Sequence, residues 1–373
     1  MTSHITRRDF LKLTGLGVGA MALAPLRRIQ MVDFPKGDQL GRTVSVVDVH
    51  SQPNINSPVT MQLNADSVVE WNRSVVANTL DPNQFDNQRW VETPNGFIFS
   101  RDVQPVKNLP NAPMNVLPAG EVGFWAEVTI PYVDLYIDNP PIRSPWAKTM
   151  IDQLGTPRLY YSQVVWIDSI RANPTTGVIE YRFNEDAPHG YGYGDMFWAD
   201  ASAFRPIADE DVAPISSNVD PAEKKIIVNI TYQTLSCFEG NKEVFFCRTS
   251  TGLLASQLAS GTDQYETPVG DMYTYWKIYS KAMGANSTTN AAGYDTPAVP
   301  WCTFIATGGV AIHGAFWHNG FGTPRSHGCV NVRPEDAKWI FRWTDPFVSL
   351  QQTEVRLTWP TVGTKVTSIK KLY

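Results

Sequence analysis

Short runs of alternating apolar and polar residues dominate this chain, and long helical periodicities are scarce. Val44-Ser-Val-Val-Asp-Val-His50, Phe97-Ile-Phe99 and Ala126-Glu-Val-Thr-Ile-Pro-Tyr-Val133 carry the two-residue period of half-buried strands. Lys225 to Tyr232 reads as a further strand. Gln233–Phe238 and Glu243–Arg248 read as a hairpin turning at Gly240-Asn241. Pro334 to Trp343 breaks the pattern with a helical one: Pro in the first turn, Glu335 and Asp336 near the positive end, and Ala337, Ile340 and Phe341 on one face. Pro346 stops it. The expectation is a mainly β protein with a short helix near its C-terminal end.

Two segments repeat one plan. Residues 42–106 and 124–207 both open on alternating β-branched residues. Both close on aromatics, a short helix-like turn and a proline flanked by aliphatics. The closing pattern resembles the bacterial SH3-like modules that accompany wall enzymes, while the plain reading is two undistinguished β-domains. Pro-containing linkers at 107–120 and 208–222 then divide the chain into expected β-domains at 41–110 and 122–208 and a third unit at 222–370. A length of 373 residues suits several cores rather than one.

The net charge of −5 is spread without a basic patch, which argues against a nucleic-acid partner. The N-terminus departs from the globular pattern. Thr6-Arg-Arg-Asp-Phe-Leu-Lys12 precedes an apolar stretch from Leu13 to Leu26 that is too short to span a bilayer comfortably. This arrangement resembles a twin-arginine export signal. It implies that residues 1–30 are a targeting segment and that the protein works outside the cytoplasmic membrane, in a wall or periplasm-like space. An uncleaved membrane tether is the alternative.

In that oxidising setting the four cysteines invite a disulfide reading. A two-residue turn at Gly240-Asn241, however, places Cys237 opposite Val244 and Cys247 opposite Thr234. The two sulfurs then lie on opposite faces about 10 Å apart, beyond disulfide reach. Both are expected as free thiols.

Chemistry concentrates in one stretch. Three of the six histidines (His313, His318, His327) and Cys329 fall within residues 313–329. A thiol with an ordinary pKa near 8.5 needs a neighbouring imidazole to take its proton and hold the ion pair. His313 ends an apolar β-run, and Gly328 before Cys329 permits a tight turn that leaves backbone N–H groups to face an oxyanion. Cys329 on its own reads as a buried structural thiol. Two histidines and a cysteine could also hold zinc, but no fourth ligand or carboxylate partner stands nearby, so no metal or other cofactor is expected.

Ile312-His313-Gly314, a loop containing Gly322, and then Ser326-His327-Gly328-Cys329-Val330-Asn331 resemble the signature of the L,D-transpeptidases with a YkuD-like catalytic domain. The resemblance extends over Ser250-Thr-Gly252, Thr267-Pro-Val-Gly270 and Val362 to Val366. It implies a β-sandwich catalytic domain with short helices, in which Cys329 attacks the donor stem peptide and His313 acts as base. The Gly314 carbonyl would orient the imidazole. His327, Gly328 and Cys329 would surround the oxyanion, with His327 either in proton transfer or only a scaffold. Asn331 stands where many members carry Arg and would contact substrate, with Ser326 beside it. Tyr294, Gly308 and Gly309 would line the cleft. His318 matches no assigned role and reads as a surface or rim residue; Trp301, Phe316 and Trp317 read as core or cleft wall.

The implied partners are peptidoglycan stem peptides, a donor tetrapeptide and an acceptor amine, in association with the cell wall, with carbapenem-type inhibitors expected. The implied reaction is 3–3 cross-linking through a thioester. Two rivals remain open: an L,D-carboxypeptidase passing the same thioester to water, and a wall-binding protein whose catalytic domain is vestigial.

Overall fold

The structure is a computed structural model, describing residues 33–77, 88–190, 192–254, 265–284 and 295–371. The expected targeting segment and Tyr294 lie outside the described residues. The chain is mainly β, as its alternation predicts.

In the first segment, strands 59–63, 47–50, 96–99, 89–93 and 73–76 form a five-stranded antiparallel sheet in that order. Strands 68–70, 40–43 and 103–106 form a three-stranded one. Val47, Val49, Val69, Val91, Ile98 and Val103 make a small core there. In the second segment a six-stranded sheet ordered 136–137, 196–200, 179–184, 164–172, 124–128 and 204–206 carries the helix Pro145–Leu154. The repeated closing plan is a matching piece of structure: Ser100–Asp102 and Ala201–Ala203 are single 3₁₀ turns, each leading into a short strand that contains proline.

The last segment holds two five-stranded sheets. One is ordered 242–248, 234–239, 224–229, 365–369 and 270–273. The other is ordered 330–332, 310–314, 295–306, 276–284 and 354–356. Ile226, Val228 and Leu235 from the first, Ile312, Val330 and Val332 from the second, and Ile340, Phe341 and Trp343 from the helix Pro334–Trp343 share one core. Trp125, Val164 and Ile207 of the second segment join that same core. Gln163 Nε2 also donates to Pro297 O at 2.7 Å, so the second segment is packed onto the third rather than strung beside it.

The helix starts as its sequence directs, with Pro334 in the first turn and Glu335 and Asp336 at the positive end of the dipole. Its C-terminal carbonyls find an unusual partner. Lys277, 1% exposed, donates to Phe341 O, Thr344 O and Pro346 O at 2.5, 2.7 and 2.7 Å. That satisfies the carbonyls of Phe341 and of the cap residue Thr344, which a helix end otherwise leaves open, together with one just beyond it at Pro346.

The hairpin differs from expectation. Its turn is at Gly240-Asn241, since Glu239 pairs with Lys242, but a bulge follows between Cys237 and Phe238. The extra residue moves the partner of Cys237 from Val244 to Phe245, and that of Cys247 from Thr234 to Leu235. The two cysteines therefore share a face as diagonal neighbours, both within the main core. They are free thiols nonetheless.

Candidate active site

Strands Val310–Gly314 and Val330–Val332 pair in parallel, Ile312 opposite Val330 and His313 opposite Asn331. Partners in such a ladder point to one face, and successive residues alternate. Ile312, Val330 and Val332 turn inward to the main core. Ala311 packs on the other face with Cys302, Phe304, Trp317 and Cys329. His313, two residues beyond Ala311, thus shares the face of Cys329. Of the four cysteines, three are buried and Cys329 alone is half-buried.

Cys329 opens into a cleft of about 480 Å³ whose lining includes Gly308, Gly309, His327, Lys281, Asp295 and Tyr193. The Cys329 thiol donates to Gly309 O at 3.5 Å. Gly308 and Gly309 adopt φ of 79° and 85°. A Cβ at either would meet nothing within 4 Å, so it is backbone conformation, not crowding, that calls for glycine at this rim.

His313 is 2% exposed, with Nδ1 3.3 Å from Gly314 O. If Nδ1 carries the proton and donates it there, Nε2 keeps the lone pair a base requires. Gly314 is itself confined, because a Cβ would come within 2.9 Å of Pro334 Cα. Burial pulls the His313 imidazole down to about 4. The protein packed around the Cys329 sulfur pushes the thiol up to about 11, with a backbone hydrogen bond from Ala311 pulling the other way. Burial thus favours the neutral form of each group and works against the ion pair expected from the sequence.

The turn before Cys329 is tied from within. Gly328, at φ 118°, donates its N–H to Ser326 Oγ at 3.1 Å, so that N–H is engaged and not aimed at an oxyanion. Ser326 Oγ in turn donates to Cys329 O at 2.5 Å, and Thr267 Oγ1 donates to Gly328 O at 2.8 Å. Ser326 is buried and acts on the turn. His327 is exposed, edge-on to Tyr265 with centroids 4.4 Å apart, and faces the cleft.

Asn331 and His318 depart furthest from the sequence reading. His318 is not a rim residue: it is 5% exposed, and its Nε2 lies 3.1 Å from Asn331 Nδ2. Asn331, 3% exposed, exchanges backbone hydrogen bonds with Ser250 at 2.8 and 2.9 Å. Burial lowers the His318 imidazole to about 3, helped by the charge of Arg325. Trp317 lies 5.8 Å from His313, ring to ring, and joins the cluster that holds Cys329. Loop length and polarity alone do not give His318 this burial. The signal for it is the two aromatic residues preceding it, which anchor the loop inward.

Comparison with known proteins bears on the same region. Residues 223–367 match the family model of the YkuD L,D-transpeptidase catalytic domain. The chain is 24% identical over 368 residues to L,D-transpeptidase 2 of Mycobacterium tuberculosis (strain CDC 1551 / Oshkosh), covering 89% of this chain and 84% of that protein. Among solved structures, an Enterococcus faecium L,D-transpeptidase mutant is 21% identical, covering 39% of this chain and 50% of its own, with a TM-score of 0.29. An L,D-transpeptidase from Mycobacterium smegmatis is 18% identical, covering 54% and 98%, with a TM-score of 0.31. The M. tuberculosis L,D-transpeptidase 3 in complex with a faropenem-derived adduct is 17% identical, covering 54% and 97%, with a TM-score of 0.30. Such low superposition scores leave the assignment to the sequence matches. Residues 223–367 thus match an L,D-transpeptidase catalytic domain of the YkuD type, which supports a transpeptidase-type acyltransferase function.

Proposed function

We propose that this protein is an exported cysteine acyltransferase that cross-links peptidoglycan stem peptides. The observation that carries the reading is the parallel pairing of the His313 strand with the strand that Cys329 immediately precedes, with the chain's one half-buried thiol opening into a cleft.

The chemistry balances in two steps. The Cys329 proton passes to His313 Nε2 as sulfur bonds to the donor carbonyl. The C–N bond to the terminal D-amino acid breaks, and its nitrogen takes that proton. An amine of a second stem then attacks the thioester: a C–N bond forms, the C–S bond breaks, and the thiol is restored. An amine at that step gives a 3–3 cross-link. The export-signal resemblance of residues 6–12 supports the reading that this work is done outside the cytoplasmic membrane. Gly308, Gly309 and His327 would border the donor, while Ser326 and Asn331 serve from beneath, holding the turn and the strand.

The test is intact-protein mass spectrometry with a carbapenem, whose ring opens on the thiol and adds its whole mass. One adduct per chain on the wild type and none on Cys329→Ala is expected. An adduct on Cys329→Ala, or none on the wild type, overturns the proposal. Product analysis with a donor tetrapeptide then separates acceptors, since cross-linked dimers require an amine and trimmed monomers indicate water.

A further inference from the structure

The loop between His313 and Cys329 is held from two sides, and one of them belongs to a distant part of the chain. The catalytic domain holds its later half: Gly322 N–H donates to Thr249 O at 2.9 Å, and the N–H groups of Arg325 and Ser326 donate to Thr251 O at 2.9 and 3.1 Å. The earlier half is held by the first β-segment. Asn319 is 7% exposed, and its Nδ2 donates to Ser100 O and Val103 O, each at 3.0 Å. Its N–H donates to Arg101 O at 3.3 Å. Arg42, 3% exposed, donates from Nη2 to Phe316 O at 2.8 Å while Nη1 pairs with Asp66 at 2.7 Å.

These contacts grip the two ends of one tetrapeptide, Phe316-Trp317-His318-Asn319. Its middle pair are the residues that touch the active centre, Trp317 against His313 and His318 against Asn331. We propose that the first β-segment is a bracket for the active centre, with Asn319 and Arg42 as positioning residues that set His313 through Trp317 and Asn331 through His318. Buried hydrogen bonds of a side-chain amide to two carbonyls, and of a guanidinium to a third, fix a loop far more rigidly than exposed contacts do. The segment is thereby part of the catalytic machine, not a detachable wall-binding unit.

This inference rests on the acyl-transfer reading, and the experiment keeps the two apart. Full-length Asn319→Ala and Arg42→Lys are compared with wild type for carbapenem acylation rate against concentration, with adduct stoichiometry measured by mass. Arg42→Lys keeps a cation for Asp66 and gives up the second arm to Phe316, so it decides the matter if Asn319→Ala does not fold. The expected result is a tenfold or greater fall in the saturating acylation rate, an unchanged half-saturating concentration and a full single adduct. Asn319→Asp, which sets a carboxylate against two carbonyl oxygens, falls further still. Arg73→Ala, removing an exposed ion pair with Glu92 elsewhere on the segment, stays at the wild-type rate. Saturating rates within twofold of wild type in both Arg42→Lys and a folded Asn319→Ala overturn the bracket while leaving the Cys329 chemistry standing. A loss of adduct stoichiometry at unchanged rate also overturns it, since that is the mark of a stability effect alone.

Discussion

At the scale of single residues, the burial that favours the neutral forms of His313 and Cys329 bears on how the thiol is used. A stored thiolate would react with any small alkylating agent. A neutral thiol beside a neutral imidazole reacts only when a bound carbonyl draws the sulfur forward and the proton leaves in the same event. Iodoacetamide should therefore modify Cys329 at neutral pH no faster than an ordinary exposed cysteine, while a carbapenem acylates it readily. Fast, selective alkylation would show a resting thiolate instead. The same burial sets a stability trend. His313, His318 and His189 are drawn down to about 4, 3 and 4, so the unfolded chain binds protons that the folded chain refuses. Their contribution is complete above about pH 6.5 and is lost as pH falls toward about 4. Asp336, raised to about 6 by burial, runs the other way over part of that window, as do Glu185 and Asp295, whose carboxyls burial also raises; the three histidines carry the larger displacements. Denaturant midpoints should fall steadily from about pH 7 to about pH 4.5; a flat profile would mean the histidines are not buried as described. Cys329, His313 and Gly314 were legible because their signature is local and their partners are neighbours in a strand or turn. The contact of His318 with Asn331 was not, since it depends on Asn331 lying across a parallel pair from His313, a relation that sequence spacing does not encode; only the aromatics ahead of His318 hint at its burial.

At the scale of elements, the helix Pro334–Trp343 shows how far local rules reach. Its start, its buried face and its end near Pro346 follow from capping and periodicity. The partner of its C-terminal carbonyls does not, because Lys277 comes from a strand more than fifty residues away in sequence. Lys277→Met keeps the length of the side chain and leaves three carbonyls without their donor. It should cost about 3 kcal/mol, read as a lowered denaturant midpoint with an unchanged slope. A change below about 0.5 kcal/mol would mean that these carbonyls are satisfied without Lys277. The hairpin teaches the complementary lesson. Its turn was readable from Gly240-Asn241, but a single inserted residue brought two cysteines onto one face, and alternation cannot locate a bulge. Diagonal neighbours across a ladder sit about 7–8 Å apart between their Cα atoms, still too far for an unstrained disulfide. Thiol titration of the oxidised, denatured protein should accordingly count four free cysteines. Two would indicate that the pair closes.

At the scale of the whole molecule, alternation conveyed β-richness and linkers conveyed a division into segments, but neither could show that the second segment shares its core with the catalytic sheets through Trp125 and Val164. Nor could they place Asp66. That carboxylate takes Arg42 at 2.7 Å, Arg158 at 2.9 Å and the Tyr160 hydroxyl at 3.1 Å, joining the first and second segments beside Phe316. Asp66→Ala leaves the buried Arg42 guanidinium without its anion, while the half-buried Arg158 keeps only Asp134, at 2.8 Å. It should cost about 3–5 kcal/mol and split one calorimetric transition into two, the first segment melting earlier. A single transition at the wild-type temperature would count against the junction.

The bond from Arg42 to Phe316 O spans 274 positions of the chain. Closing so long a loop comes late in folding, after local strands have formed. The catalytic loop is then among the last parts to take shape, and a ribosome that has released only the first two segments has made nothing that can acylate. For a protein expected to cross a membrane before it works, this favours finishing the fold at the point of synthesis. A chain threaded through unfolded would have to rebuild that closure on the far side, with its thiol bare in an oxidising space until the loop had settled.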